Sequence, residues 1–346
     1  MTTTRDGHGP AASPGRPTTR LPGLAEGSWQ LMTLLDQSPG LLALGDTLIE
    51  LTAQGAPIVV GTADLKYSNG LVRYQQEYPE RFVQFGISEQ NMVSAAAGMA
   101  ASGLQPYVAT FASFLALLCC EQIRTDIAYT NLPVRLIGHH AGITLGFYGT
   151  SHHANEDLAI MRAMPNMTVV APADTTQLGQ ALRAYAGHSG PVYFRIGRGR
   201  DPDVYATDRG RYTAGKAITH GLGRDVTVIA TGSMVHPAIE AAREVSAAGV
   251  HAGVIDMHTI KPLDKTAVLE AASRSGVLLT VEEHGVLGGL GGAVAEVLTS
   301  AGSRVRLVRH GMPDEYSLIG PPLHLYRHYR LDASGIAQVI REAVAA

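Results

Sequence analysis

Between residues 58 and 196 the chain returns six times to a short β-rich apolar run: Ile58–Gly61, Phe82–Phe85, Pro106–Thr110, Val134–Gly138, Thr168–Ala171 and Val192–Ile196. Most of these runs lack the two-residue alternation of a strand with one wet face, so both of their faces must be covered. Amphipathic or small-residue stretches separate them. The clearest helices are Ser113–Tyr129 and Thr175–Tyr185, the second preceded by Asp174, a good N-cap. Buried strands between helices predict an α/β fold on a mostly parallel sheet flanked by helices.

The alternation stops at 201–215, which is rich in Gly, Asp and Arg and reads as a linker. It resumes with strands at Val226–Ala230, Ala252–Ile255, Val277–Val281 and Val305–Val308. Helices are expected near Pro237–Ala247, Lys265–Ala272 and Gly292–Leu298, with a last one at Ala333–Ala345. The pattern predicts two α/β domains, 27–200 and a smaller 216–346. Residues 1–26, rich in Thr, Pro, Gly and Arg, are expected to form a disordered tail.

With 45% hydrophobic and 16% charged residues among 346, the chain can bury two cores. A formal charge of −3 supplies no basic field for nucleic acid. No apolar run reaches the length of a membrane helix, and the first 26 residues lack the apolar centre of a signal peptide. Cys119 and Cys120 are adjacent in an apolar helical stretch, which suits core packing in a reduced, cytoplasmic protein.

The segment Gly-Ile-Ser-Glu-Gln-Asn-Met at 86–92 joins a strand to a small-residue run, Val93–Ala100, that can pack as a close helix. It places one carboxylate, Glu89, at the junction. A carboxyl group held between apolar walls resists ionisation and can share a proton with a ring nitrogen. An acidic residue in a first helical turn is also an ordinary cap, so both readings stand. Phe111 and Phe114, three apart at a helix start, suit a core as well as a pocket wall.

Two histidine pairs, His139-His140 and His152-His153, flank a Gly-rich loop. They lack the i, i+4 spacing and the Cys partners of a zinc site; imidazoles aimed at hydroxyls and oxyanions fit better. Arg195, Arg198 and Arg200 suit either an anion clamp or a solvated loop.

Four motifs then occur in order: GISEQNM from Gly86, TFASFLALLCCEQIRTDIAY from Thr110, GHHAGITLGFYGTSHHANEDLA from Gly138 and PNMTVVAPAD from Pro165. Over residues 30–345 the chain resembles the second half of a transketolase, the pyrimidine-binding and C-terminal domains of that thiamine-diphosphate family. The resemblance implies that Glu89 hydrogen-bonds the aminopyrimidine ring of the cofactor and promotes formation of its carbanion. It implies that Phe111 stacks on that ring, that Phe114 lines the pocket, and that Leu117 replaces a third aromatic wall residue. His140 matches a substrate-contacting His at the channel mouth, and His152 the deeper His beside the reacting carbon. Asp64 matches an Ala-Asp-Leu turn near the cofactor, although on the residues alone it is equally a turn-former. Ser68 falls near a phosphate-contacting Ser. Arg198 matches a phosphate-binding Arg, a residue type suited to paired hydrogen bonds with an anion.

Two positions depart from the family pattern. Pro39-Gly40-Leu41-Leu42 stands where transketolases place a further phosphate-clamping Arg, and Tyr148 stands where an Asp reads an acceptor hydroxyl. Both point away from the usual phosphosugars. The Gly-Asp-Gly…Asn motif that holds Mg2+ and the diphosphate has no Gly-Asp-Gly counterpart in this sequence. The expectation is therefore a split enzyme, in which an N-terminal transketolase subunit carries that motif and pairs with this chain, two of each. The expected activity is transfer of a two-carbon ketol unit from a ketose or α-hydroxyketone to an aldehyde, with Glu89 and His152 as catalytic residues. A β-type subunit of a 2-oxo acid dehydrogenase, a deoxyxylulose-phosphate-synthase-like enzyme and a non-catalytic scaffold are the alternatives.

Overall fold

The computed structural model describes residues 39–199, 201–206 and 212–346. The expected tail, Arg200 and the middle of the expected linker lie outside the described residues. The segment that stands where transketolases carry a further Arg begins the helix Pro39–Ala53.

Strands β1 (Ile58–Thr62), β2 (Phe82–Gln84), β3 (Gln105–Phe111), β4 (Arg135–His139), β5 (Thr168–Val170) and β6 (Val192–Arg195) fall on the six apolar runs. They are parallel, in the order β5-β6-β4-β3-β1-β2. The register aligns their carboxyl ends: Thr62 lies beside Ala109, and Phe111 beside His139. The chain therefore delivers Asp64, Phe111 and His140 to one edge of the sheet, the edge at which open parallel sheets bind ligands.

The second sheet contains β7 (Ile218–Gly221), β8 (Val226–Ala230), β9 (Ala252–Asp256), β11 (Val277–Gly285) and β12 (Arg306–Met312), in the order β12-β11-β8-β9-β7. Only β7 runs against its neighbour. Strand β10 (Thr259–Lys261) belongs to the same stretch of chain but leaves this sheet. It pairs antiparallel with β5, Thr259 opposite Val170, and so becomes the seventh strand of the first sheet.

The helix Glu89–Ala101 turns Met92, Val93, Ala96, Ala97 and Ala100 into the core, a stripe at helical spacing, and its small side chains let it lie close to β3. The helix expected over Ser113–Tyr129 forms, but not as a plain α-helix. Phe114–Leu118 and Ile123–Ala128 wind as π-turns on either side of Cys120–Gln122, a widening found often beside functional sites. Cys119 is fully buried there, and burial, aided by the charge of Glu89, pushes its thiol up to about 12. It packs and does not react. Asp174 caps Thr175–Ala184 by accepting a hydrogen bond from the Gln177 amide at 2.8 Å. No described helix is long and apolar enough to cross a membrane.

Candidate active site

Gly86, at φ +69°, makes the turn that brings the chain from β2 into the helix Glu89–Ala101. Glu89 is the first residue of that helix and only 7% exposed. Its side chain makes no cap: among the described residues its carboxylate has no hydrogen-bond partner. Desolvating a carboxyl group without giving it a donor is unfavourable, and such groups in native folds call for an explanation. A ligand that supplies the partner is one. Next to it Ile87 is 86% exposed, so the buried carboxyl sits just beneath the surface.

Across from this helix, packed against it, lies the start of the π-helical segment. Phe111 ends β3 and Phe114 lies one turn on, their ring centroids 5.6 Å apart. The Gly-rich loop brings the histidines onto them. His140 lies 4.9 Å from Phe111, and His152 lies 5.9 Å from Phe111 and 5.1 Å from Phe114. Tyr148 covers the outer side of His152 at 4.8 Å. Five residues named from the sequence thus form one cluster of rings. Arg198 is close enough for its charge to act on His140 and His139.

The remaining named residues stand apart from these ring contacts. Asp64 is exposed, in a left-handed turn at φ 59°, with its amide donating to Gln84 Oε1 at 2.7 Å. Ser68 is half-buried, and Leu117 is 50% exposed. The two histidines without an assigned role are both buried and hydrogen-bonded. His139 Nδ1 lies 2.5 Å from His140 Nδ1, and His153 Nδ1 lies 2.5 Å from Ser317 Oγ. Burial, with the Arg198 charge behind it, pushes His139 down to about 3. His140 is held well below the usual histidine range by burial, then by His139 and Arg198. Burial also lowers His152 and His153. These are neutral imidazoles, each with one donor and one acceptor nitrogen.

The sequence matches the family described as "Transketolase, pyrimidine binding domain" over residues 41–202 and "Transketolase, C-terminal domain" over residues 215–336. One of the two subunits of an apulose-4-phosphate transketolase from Phocaeicola vulgatus is 38% identical over 299 residues, covering 86% of this chain and 95% of that protein. A 6-deoxy-6-sulfo-D-fructose transketolase subunit of a Clostridium species is 37% identical over 297 residues, 86% of this chain and 92% of that one. A solved split-gene transketolase, described as an inactive β4 tetramer, superposes with a TM-score of 0.80 at 40% identity, covering 88% of this chain and 97% of the other. This chain belongs to the transketolase family.

What the sequence reading missed in this transketolase chain is the network that braces the Gly-rich loop. Arg195 does not lie in a solvated arginine loop. It is the buried last residue of β6, and its Nε donates to both oxygens of Asp157 at 2.9 and 3.1 Å, while Tyr193 OH donates to Asp157 at 2.7 Å. Burial opposes the Arg195 charge, but the carboxylates of Asp157 and Glu283 outweigh it and hold the guanidinium above its usual range. Arg195 Nη2 also donates to the backbone oxygens of Ala154 and Glu283 at 3.1 and 2.7 Å. Glu283, from β11, accepts from the Ile143 amide at 2.7 Å, Ser233 Oγ at 2.7 Å and Tyr326 OH at 2.9 Å. Gly142 permits this approach: its φ is +63°, and a Cβ there would stand 2.3 Å from the Glu283 carboxyl. Both sheets therefore hold the loop that carries His140 and His152. Charges inside apolar strands, Arg195 in Val192–Ile196 and Glu283 in Val277–Gly285, were the available signal.

Proposed function

We propose that this chain is the half of a two-subunit, thiamine-diphosphate-dependent transketolase that binds the pyrimidine ring and faces the substrate. The enzyme would move a two-carbon ketol unit from a ketose or α-hydroxyketone to an aldehyde. The observation that carries this reading is the buried Glu89 carboxyl, without a protein partner, beside the rings of Phe111 and Phe114. A carboxyl donor at that depth next to flat apolar walls fits an aminopyrimidine, so the residues present suit the cofactor. When bound, thiamine diphosphate supplies the electron sink for carbon–carbon bond cleavage.

Glu89 shares a proton with the pyrimidine nitrogen, and Phe111, Phe114 and Leu117 wall the ring. His152 and His140, kept neutral, hydrogen-bond substrate oxygens. Arg198 and Ser68 hold an anionic end, and Asp64 turns the chain toward the partner. The pyrimidine-binding domain is assigned to 27–200, the linker to 201–215 and the C-terminal domain to 216–346. Mg2+ and the diphosphate fall to a partner chain with Gly-Asp-Gly…Asn, in a cytoplasmic assembly of two of each. The naming of the Phocaeicola relative as a subunit and the inactivity of the similar β4 tetramer support a division of labour between chains.

Calorimetric titration tests this. The purified chain should bind thiamine diphosphate negligibly in the presence of Mg2+, and mixing it with a Gly-Asp-Gly-bearing partner should create ketol transfer between a ketose and an aldehyde. Micromolar binding by the chain alone, or a mixed enzyme that decarboxylates a 2-oxo acid and transfers no ketol unit, would overturn the reading.

Tyr148 sets a second expectation. Its ring rests on His152 and 40% of it is exposed, where the family places a hydroxyl-reading carboxylate. An apolar ring with one hydroxyl tip favours a less hydroxylated or less charged acceptor, because a lost polar readout shifts discrimination strongly. The reconstituted pair should prefer short unphosphorylated aldehydes to ribose 5-phosphate and glyceraldehyde 3-phosphate. If both phosphosugars win by more than about tenfold in kcat/KM, Tyr148 is not a selector.

A further inference from the structure

Successive residues of a strand point to opposite faces, so neighbouring histidines at the end of β4 should not meet. They meet because His140 adopts the left-handed conformation, at φ 56°, which folds its ring back toward His139 until the two Nδ1 atoms are 2.5 Å apart. A non-glycine residue held in that region is strained, and such strain persists only where the surroundings enforce it. Here the His140 and Ala141 amides donate to the backbone oxygens of Gly197 and Ile196, at 3.4 and 3.1 Å.

A hydrogen bond between two Nδ1 atoms of neutral imidazoles admits one arrangement of protons on each side. One ring carries its proton on Nδ1 and leaves Nε2 bare; the other leaves Nδ1 bare and carries its proton on Nε2. The surroundings choose which is which. His139 shares a cavity of about 20 Å3 with the carboxyl groups of Asp174 and Asp201, a wall rich in acceptors for an Nε2 proton. His140 instead faces the ring of Phe111, and its Nε2 makes no hydrogen bond among the described residues. A buried N–H without an acceptor is rarer than an acceptor without a donor, so the proton belongs on the His139 Nε2.

We propose that His139 is a positioning residue that holds His140 with a proton on Nδ1 and a bare Nε2, so that His140 accepts a hydrogen bond from a substrate hydroxyl. The substrate contact rests on the function proposed above; the tautomer does not. A donor sugar rich in hydroxyls would then be read by acceptance at His140.

Nitrogen NMR of the full chain, labelled in its histidines and with His140 assigned by its loss in His140→Ala, tests the tautomer without any activity. The ring should show protonated Nδ1 and bare Nε2 in the unmodified chain and in His139→Asn, whose amide can occupy the place of the His139 Nδ1. In His139→Phe it should move toward the Nε2-protonated form. A His140 already protonated on Nε2, or one unchanged by His139→Phe, overturns the proposal.

In the reconstituted enzyme, His139→Phe should lower kcat/KM for a hydroxylated ketose by about tenfold to a hundredfold, the scale of one unmatched buried hydrogen bond. His139→Asn should stay within about threefold, and His139→Phe should have no further effect in a His140→Ala background. An additive effect there would make His139 merely structural. Absence of ketol transfer from the unmodified pair would instead refute the assigned function and leave the NMR result standing.

Discussion

Glu89→Gln should reduce turnover of the reconstituted enzyme by about 10²- to 10⁴-fold, the usual weight of a positioned acid–base group. The amide matches the carboxyl in size and fills the same buried position at the head of Glu89–Ala101, so the fold and the assembly should survive. What it lacks is the proton that a carboxyl group can give to and take from a pyrimidine nitrogen. Because that exchange matters in the reaction and little in ground-state binding, kcat should fall more than the substrate KM rises. Sizing chromatography and circular dichroism would confirm that the variant assembles, and steady-state rates would give the loss. A variant within about threefold of the unmodified enzyme would return Glu89 to packing alone.

Asp157→Ala should be the most destabilising single substitution in the Gly-rich loop region. Asp157 is fully buried and Arg195 is 5% exposed, so removing the carboxylate strands a guanidinium away from water and also leaves Tyr193 OH without its acceptor. Breaking a buried pair in this way costs about 3–5 kcal/mol, although exchanging the whole pair for well-packed apolar residues can be neutral. Chemical denaturation should show a loss of that size. The activity of the variant that remains folded should fall too, since Arg195 fastens the Ala154 carbonyl two residues beyond His152. A loss below about 1 kcal/mol would mean that water reaches Arg195 and the pair counts as a surface one.

The two sheets were readable from the chain because a parallel strand covered on both faces must be apolar throughout, and such runs stand out against polar turns. Short edge strands leave no such mark. In β10 only Thr259, Ile260 and Lys261 take part, and in β7 only Ile218 is buried, so neither rises above loop composition. The π-turns within 114–128 were invisible for another reason: their side-chain spacing differs little from that of an α-helix over so few residues.

Within the site, Phe111, Phe114, His140, Tyr148 and His152 were legible through local motifs, since one strand end and one loop supply them all. The bracing by Arg195, Asp157 and Glu283 joins residues more than a hundred positions apart in the chain, and no local pattern encodes such a meeting. The His139–His140 bond was hidden because it depends on a backbone turn that the side chains do not announce.

Strand β10 has a consequence for how this polypeptide can be taken apart. Three residues from the second half of the chain complete the sheet of the first half, next to β5. Severing the chain between 201 and 215 would leave two fragments, each incomplete at an edge: one would expose the unpaired rim of β5, the other a strand with nothing to pair. Unpaired edges invite adhesion to other chains. The fragments should therefore be poorly soluble when made separately and recover when made together, as complementing halves. A natural break in a protein of this kind belongs ahead of the first sheet, where it divides the enzyme without tearing a sheet in two.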